Sequence, residues 1–373
     1  MTSKGKHRKH AKLTRPEKGQ WARLDLGIFG NKCASIAALS NQIAQALDHL
    51  AVKYVDADHS YFDNPETINR QGALFYSEHL LQSAQFTTSF SPEGDLPSPA
   101  LPYEDLAIVN ANHFEVDRTV LYYHPSKDKS ILKRKHQLEH TKWVYLEAGL
   151  VLPEEIKSAL PVDVETITEL EVLIQQVNDF ISTPVLKGLV LAGGQSVRMG
   201  QDKTLLNHHG LPQREHLLNL ISEHTSESFL SLRNTEGMEN ELVDRFQGLG
   251  PFGAILSAFQ SDPNAAWLVV ATDLPNIDQT VISKLIAERS TRHYATCFHN
   301  EVTDFPDPLC TIWEPKAYHR LLTYLAGGYS CPRKVLINSP VKEILPDDPA
   351  WLFNLNTPED LAKFKQRAIK DAD

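Results

Sequence analysis

The chain has 373 residues, 42 % of them hydrophobic and 23 % charged, and 47 acidic against 37 basic side chains give a formal charge of -10. That length calls for two domains, each able to bury a core, and the acidity speaks against a dedicated nucleic-acid binder, which would be basic. No apolar run approaches the roughly 18 residues that cross a bilayer, and no apolar core follows Lys4, Lys6, Arg8, Lys9, Lys12, Arg15 and Lys18 as in a secretion signal; membrane insertion and export are not expected, which leaves the cytoplasm.

In chain order, residues 1–20 read as a basic tail, solvated or wrapped on the surface. A strand at Trp21 to Ile28 leads through a glycine turn at Gly27 to Gly30 into an alanine-rich helix from Ser35 to Leu50, with a second strand at Val52 to Asp56. Phe86 to Tyr103 is rich in Ser, Thr and Pro and reads as a long surface loop. Strands follow at Leu106 to Asn110, Arg118 to Tyr123 and Trp143 to Leu146, and a helix over Glu154 to Phe180 closes a first domain at 21–180.

A second domain, 186–373, repeats strand then helix. Strands are predicted at Leu186 to Leu191, Phe229 to Leu232, Trp267 to Ala271 and Tyr294 to Cys297, and helices at Gln213 to Ser222, Phe252 to Gln260 and Asp278 to Glu288. Such alternation predicts two three-layer α/β/α domains with mainly parallel sheets, whose ligands sit at the carboxyl ends of strands. Cys33, Cys297, Cys310 and Cys331 have no C-x-x-C spacing and read as free thiols.

The stretch from Leu189 to Lys203 combines a strand end, the glycines Gly193 and Gly194, and two spaced cations, Arg198 and Lys203. Gly193 and Gly194 lack side chains and let a base, ribose or phosphate approach the main chain; the alternative is a tight strand-to-helix turn and nothing more. Arg198 offers a planar fork to phosphate oxygens and Lys203 a compact charge for the α-phosphate or the leaving pyrophosphate. This is neither a Walker A loop nor a dinucleotide fingerprint, because G-x-x-x-x-G-K-[ST] and G-x-G-x-x-G cannot be laid over it.

Four more elements follow in order: Gly250-Pro251-Phe252-Gly253, Ala271-Thr272-Asp273-Leu274-Pro275, Asp307-Pro308-Leu309 and Asn354-Leu355-Asn356-Thr357-Pro358-Glu359-Asp360. Asp273 follows an apolar strand, so its carboxylate emerges at the strand's end, where one Asp plus substrate phosphates suits Mg²⁺; the alternative is a turn cap before Pro275. Asn354 and Asn356 alternate on one face of an extended segment. Thr357-Pro358-Glu359-Asp360 also reads as a helix start, with Thr357 as N-cap.

At these five motifs, over about Leu186 to Phe364, the chain resembles the molybdenum-cofactor guanylyltransferases, the MobA-like nucleotidyltransferases with a Rossmann-like fold. The resemblance implies transfer of GMP from GTP to the phosphate of molybdopterin with release of pyrophosphate, and Mg²⁺ as cofactor. It assigns catalysis to Arg198, Lys203, Asp273 and Asn356, nucleotide contacts to Leu191, Ala192, Gly193, Gly194, Ser231, Asp244, Lys203 and Asp273, and the metal to Asp273. Arg233 stands with Ser231 at the base-contacting position or in an exposed loop. The acceptor is assigned to Asn354, Asn356 and Arg333, although Arg333 and Lys334 also read as a solvated pair. The family's residue before the Asp is commonly Cys, here Thr272, and the spacing from Asp244 to Gly250 is one residue shorter. Related cytidylyltransferases usually carry Ala at Gly193, so GTP is favoured over CTP. Molybdoenzymes or cofactor-insertion proteins are the implied partners, and a non-catalytic cofactor carrier is the contrasting reading.

In the first domain, Gly27-Ile28-Phe29-Gly30-Asn31-Lys32-Cys33 looks like a decayed phosphate loop, with Asn31 where a glycine should precede the lysine and Cys33 where Ser or Thr should reach Mg²⁺. Asp56-Ala57-Asp58-His59 resembles the acidic strand end of MobB-like GTP-binding adaptors. That implies a degenerate P-loop domain that binds or delivers the cofactor; a dimerisation or docking module is the alternative. Asn110-Ala111-Asn112-His113 sits at another strand end of the same crevice.

Overall fold

The structure is a computed structural model and describes residues 23–58, 74–80, 84–90, 104–193, 210–355, 357, 360 and 364, with only the backbone at 58, 74–80 and 84–90. Two sheets organise these residues. The first comprises β1 (Leu24–Phe29), β2 (Val52–Asp58), β3 (Leu74–Leu80), β4 (Ala84–Phe90), β5 (Leu106–Asn110), β6 (Thr119–Tyr122), β7 (Thr141–Tyr145) and β8 (Glu165–Ile167). Its order is β4-β3-β2-β5-β1-β6-β7-β8, parallel from β2 through β8, with β3 and β4 added antiparallel at one edge. Helices α1 (Cys33–Ala46), α2 (Asp128–Ile131), α3 (Lys135–Glu139), α4 (Glu154–Lys157) and α5 (Leu170–Phe180) connect these strands.

The second sheet comprises β9 (Leu186–Leu191), β10 (Ser228–Leu232), β11 (Glu241–Val243), β12 (Ala266–Ala271), β13 (Ala295–Asn300), β14 (Phe305–Trp313) and β15 (Lys342–Ile344), ordered β11-β10-β9-β12-β14-β13-β15. Around it lie α6 (Gln213–Ser222), α7 (Pro251–Ser261), α8 (Gln279–Ala287), α9 (Ala317–Ala326) and α10 (Pro332–Ile337). All six residues of β12 are buried. Trp267, Val269 and Ala271 enter one core and Ala266, Leu268 and Val270 the other, which is why a continuous apolar run, rather than alternation, marks a strand covered on both faces.

Three expectations need correction. Glu154 to Phe180 is not one helix: Pro161 follows α4, Ile167 is buried in β8, and Trp143 to Tyr145 pair in parallel with Glu165 to Ile167. Pairing to the exposed edge of β7 outcompetes helix propensity there. Phe86 to Phe90 belongs to β4 rather than a loop, through antiparallel pairing with β3; the remainder, 91–103, lies outside the described residues. β14 was unforeseen and runs antiparallel to both β12 and β13, because Pro306 and Pro308 hide its strand pattern.

An ion pair and a hydrogen bond join the two sheets' surroundings. Lys316 Nζ lies 2.7 Å from Asp105, with side chains 5 % and 13 % exposed, and Arg292 donates to the Asp48 carbonyl at 2.5 Å. Burial lowers the Lys316 ammonium's affinity for its proton and raises that of the Asp105 carboxyl, while their mutual attraction opposes both shifts.

Candidate functional site

A cavity of about 470 Å³ opens at the carboxyl ends of β9, β10 and β12. Leu191 and Gly193 form one side, Ser231, Arg233 and Asp244 another, and Ala271, Thr272 and Asp273 a third. Backbone bonds hold these strand ends in register: Ala192 N–H donates to the Ser231 carbonyl at 3.2 Å and Asp244 N–H to that of Leu232 at 2.8 Å. Thr272 donates its hydroxyl to the Leu191 carbonyl at 3.1 Å. A β-carbon on Gly193 would meet Arg233 Cγ and N at 3.5 Å, ordinary contact, so this glycine leaves room in the cavity rather than relieving strain.

Ser231 is 1 % exposed and donates its hydroxyl to Asp244 Oδ1 at 2.7 Å. Burial raises the Asp244 carboxyl above its usual range, and the Ser231 hydrogen bond and the Arg233 charge pull it back. The pair therefore presents a fixed acceptor to a ligand that donates, such as a base edge or ribose hydroxyl.

The far wall is the β11–α7 turn, with Phe246, Gln247, Gly248, Gly250 and Pro251. Gly248 and Gly250 have φ of 77° and 57°, the left-handed region that favours glycine. Gly253 is required for a different reason: a β-carbon there would lie 2.1 Å from the Phe246 carbonyl oxygen. Ser257 secures the same contact, its oxygen accepting from Arg245 N–H at 2.9 Å and Phe246 N–H at 3.2 Å while it donates to the Gly253 carbonyl.

Asp273 sits just past β12, and its carbonyl accepts from Leu355 N–H at 2.8 Å, which brings Asn354 alongside. Asn354 Oδ1 is buried and has no hydrogen-bond partner among the described residues. A carboxylate with a neighbouring orphaned amide oxygen is a hard, all-oxygen donor set of the kind Mg²⁺ takes. At Thr357 the helix-start reading has its capping box: Asp360 N–H donates to the Thr357 hydroxyl at 3.2 Å and Thr357 N–H to the Asp360 carboxylate at 2.9 Å.

Residues 188–341 match the family model for a MobA-like NTP transferase domain. The chain is 39 % identical over 188 residues to a Synechocystis "Molybdenum cofactor biosynthesis bifunctional protein", covering 49 % of this chain and 54 % of that protein, so it spans about half the length of that relative. It is 30 % identical over 186 residues to a "Probable molybdenum cofactor guanylyltransferase" of Trichormus variabilis, covering 48 % of this chain and 89 % of that protein. The chain belongs to the MobA-like NTP transferase family. A solved Archaeoglobus fulgidus structure, molybdopterin-guanine dinucleotide biosynthesis protein A, aligns with TM-score 0.43 and 22 % identity over 49 % of this chain and 99 % of that one.

In this MobA-like family member the cavity gathers Leu191, Gly193, Ser231, Asp244 and Asp273 from the sequence-derived candidates. Gly194, Arg198, Lys203 and Asn356 lie outside the described residues. Arg333 does not line this cavity; it is half-buried on α10, where its charge favours ionisation of the buried Asp307 against the burial that raises that carboxyl. Asn234, Phe246 and Gln247 line the cavity without having been singled out, and the closely spaced Gly248 and Gly250 were the signal for that wall.

The look-alike loop of the first sheet is closed upon itself. Gly30 N–H donates to Asn112 Oδ1 at 3.3 Å, Lys32 N–H to Asn31 Oδ1 at 2.8 Å, and Asn112 Nδ2 to the Asn31 carbonyl at 2.9 Å. Side-chain amides thus occupy two of the backbone donors a phosphate loop would offer.

Proposed function

We propose that the chain transfers GMP from GTP to the terminal phosphate of molybdopterin and releases pyrophosphate. The observation that carries this reading is the cavity in which Gly193, the Ser231–Asp244 pair and Asp273 meet beside Asn354; membership of the MobA-like family and the names of its relatives give the same direction. In this reading Leu191, Ala192, Gly193, Gly194, Ser231 and Asp244 take the nucleotide. Arg198 and Lys203 neutralise its phosphates, and Asn354, Asn356 and Arg333 face the acceptor. Asp273 and Asn354 would hold Mg²⁺, which when bound supplies positive charge to the transferring phosphoryl group. The acceptor phosphate is itself the nucleophile, so the protein's work is alignment and charge neutralisation without a covalent intermediate.

The unit at 186–373 carries this chemistry. The unit at 21–180, with its loop donors already engaged, serves as a MobB-like module without phosphate binding at that loop. The site of action would be the cytoplasm and the recipients molybdoenzymes or their cofactor-insertion proteins. The test incubates the full chain with Mg²⁺, molybdopterin and GTP, CTP, ATP or UTP in turn and weighs the pterin product. A guanylylated pterin formed with GTP in preference to the others is expected, with kcat/KM falling by about hundredfold or more in Asp273→Ala. A cytidylylated product would move the assignment to CTP, and undiminished turnover in Asp273→Ala would remove Asp273 from the site.

A further inference from the structure

The decayed phosphate loop leaves a second cluster that the guanylyl-transfer reading does not use. Cys33, the first residue of α1, places Sγ 3.3 Å from His113 Nε2, and the same Nε2 lies 3.8 Å from Asp56 Oδ1. The three ligand atoms all lie within 4.8 Å of one another. They come from three separate places at one end of the sheet, a helix start, the β2 strand and the turn after β5, so the fold alone brings them together.

Two readings of a Cys, His and Asp at these distances compete. A nucleophilic triad uses both ring nitrogens, one toward the nucleophile and the other toward the carboxylate that orients the ring. Here a single nitrogen faces both partners, so the carboxylate does not orient the ring from behind. Three donors converging on one point is instead the geometry of a metal site. A tetrahedral ion with Zn–S of about 2.3 Å and Zn–N and Zn–O of about 2.0–2.2 Å separates its ligand atoms by about 3.4–3.6 Å, and the observed 3.3 Å and 3.8 Å bracket that range.

The surroundings are built in the same sense. Asp56 is held in place by Tyr54 OH on Oδ2 at 2.7 Å, and by Asn110 Nδ2 at 2.8 Å and Ala57 N–H at 2.7 Å on Oδ1. Asn110 is fully buried and its own Oδ1 accepts from Asn112 N–H, which fixes the turn carrying His113. Such partners orient ligands and set their basicity.

We propose that Cys33, Asp56 and His113 form a binding site for one soft divalent transition ion, best matched by Zn²⁺, with an open fourth position. Thiolate, imidazole and carboxylate together select against Mg²⁺ and Ca²⁺, which take oxygen. The site is separate from the Asp273 cavity and stands or falls independently of the transfer reaction.

The test strips the full chain of metal with a chelator under a phosphine reductant and titrates Co²⁺, then Zn²⁺ in competition. The expected result is one equivalent bound with a cobalt–thiolate charge-transfer band. That band is lost in Cys33→Ser and kept in Cys331→Ser, which removes the exposed thiol. Zn²⁺ affinity should fall by more than about hundredfold in Cys33→Ser and His113→Gln, and by about 10–100-fold in the Asn110→Ala supporting variant. Melting of the metal-free variants by circular dichroism separates lost ligation from lost folding, and either ligand variant alone suffices if the other does not fold. Asp117, His136 and His140 form the other grouping of this kind among the described residues, so binding that survives Cys33→Ser and His113→Gln but disappears in His136→Ala/His140→Ala would overturn the proposal. Absence of a thiolate band, or of any ion bound at micromolar concentration, would overturn it equally.

Discussion

Gly253→Ala tests the packing that shapes the cavity. The added β-carbon would stand 2.1 Å from the Phe246 carbonyl oxygen and 3.2 Å from Leu249 Cβ. Because the nearer atom is backbone, no side-chain rotation can relieve the overlap. The turn would have to retreat, yet Arg245 and Phe246 N–H are both tied to Ser257 on the same helix, so retreat loosens at least one of those bonds. Overpacking costs about 1–3 kcal/mol and a lost hydrogen bond about 1 kcal/mol, which together give about 2–4 kcal/mol. For a unit of this size that lowers Tm by about 4–16 °C. The matched control is Gly193→Ala, whose β-carbon meets Arg233 at 3.5 Å and should leave stability within about 0.5 kcal/mol. The assay is thermal and urea unfolding of both variants beside the parent chain. A Gly253→Ala protein that melts with the parent would refute the argument, since the backbone contact would then not constrain α7.

Three further outcomes follow from named contacts. Lys316→Met leaves Asp105 buried beside Glu104 without its counter-charge, and should destabilise the chain by about 3–5 kcal/mol in denaturant titration; restoring stability with Lys316→Met/Asp105→Leu would show that the cost is the stranded charge. The Asp244 carboxyl is raised by burial, so the folded state holds its proton to higher pH than the unfolded chain. Stability relative to Asp244→Asn should therefore fall as pH rises from the unfolded value near 3.8 through the raised native value, and level off above it; parallel stability profiles for the two proteins would contradict the burial. Thr357→Ala removes the hydroxyl that accepts from Asp360 N–H and should cost about 1 kcal/mol in the same titration, whereas Thr357→Ser should retain most of it.

Legibility followed from how locally each feature is encoded. β12 could be read because a strand buried on both faces is apolar throughout, β9 because its end, Leu189 to Leu191, is an apolar buried run, and α6 because Leu217 and Ile221 fall one turn apart on its buried face. Gly193 and Asp273 were singled out because they stand at strand ends, where ligands of a parallel sheet sit, and Asp244 through the family resemblance; the structure brings all three to one cavity. β8 and β14 could not: each depends on an edge offered by another part of the chain, and Pro306 and Pro308 speak locally against a strand. Arg333 illustrates the limit for side chains, since proximity to Asp307 is invisible along the chain.

By itself the sequence determined the two-part α/β organisation, the strand-end glycines and carboxylates, and the family to which the second half belongs. Only tertiary structure decided which of those groups share a cavity, that Gly253 is needed for a carbonyl and not for its φ, and that Cys33, Asp56 and His113 meet. The physical reason is range. Burial periodicity and turn chemistry act over a few residues and are written into them, whereas a cavity or a ligand cluster is a property of distances between segments that the chain alone does not specify.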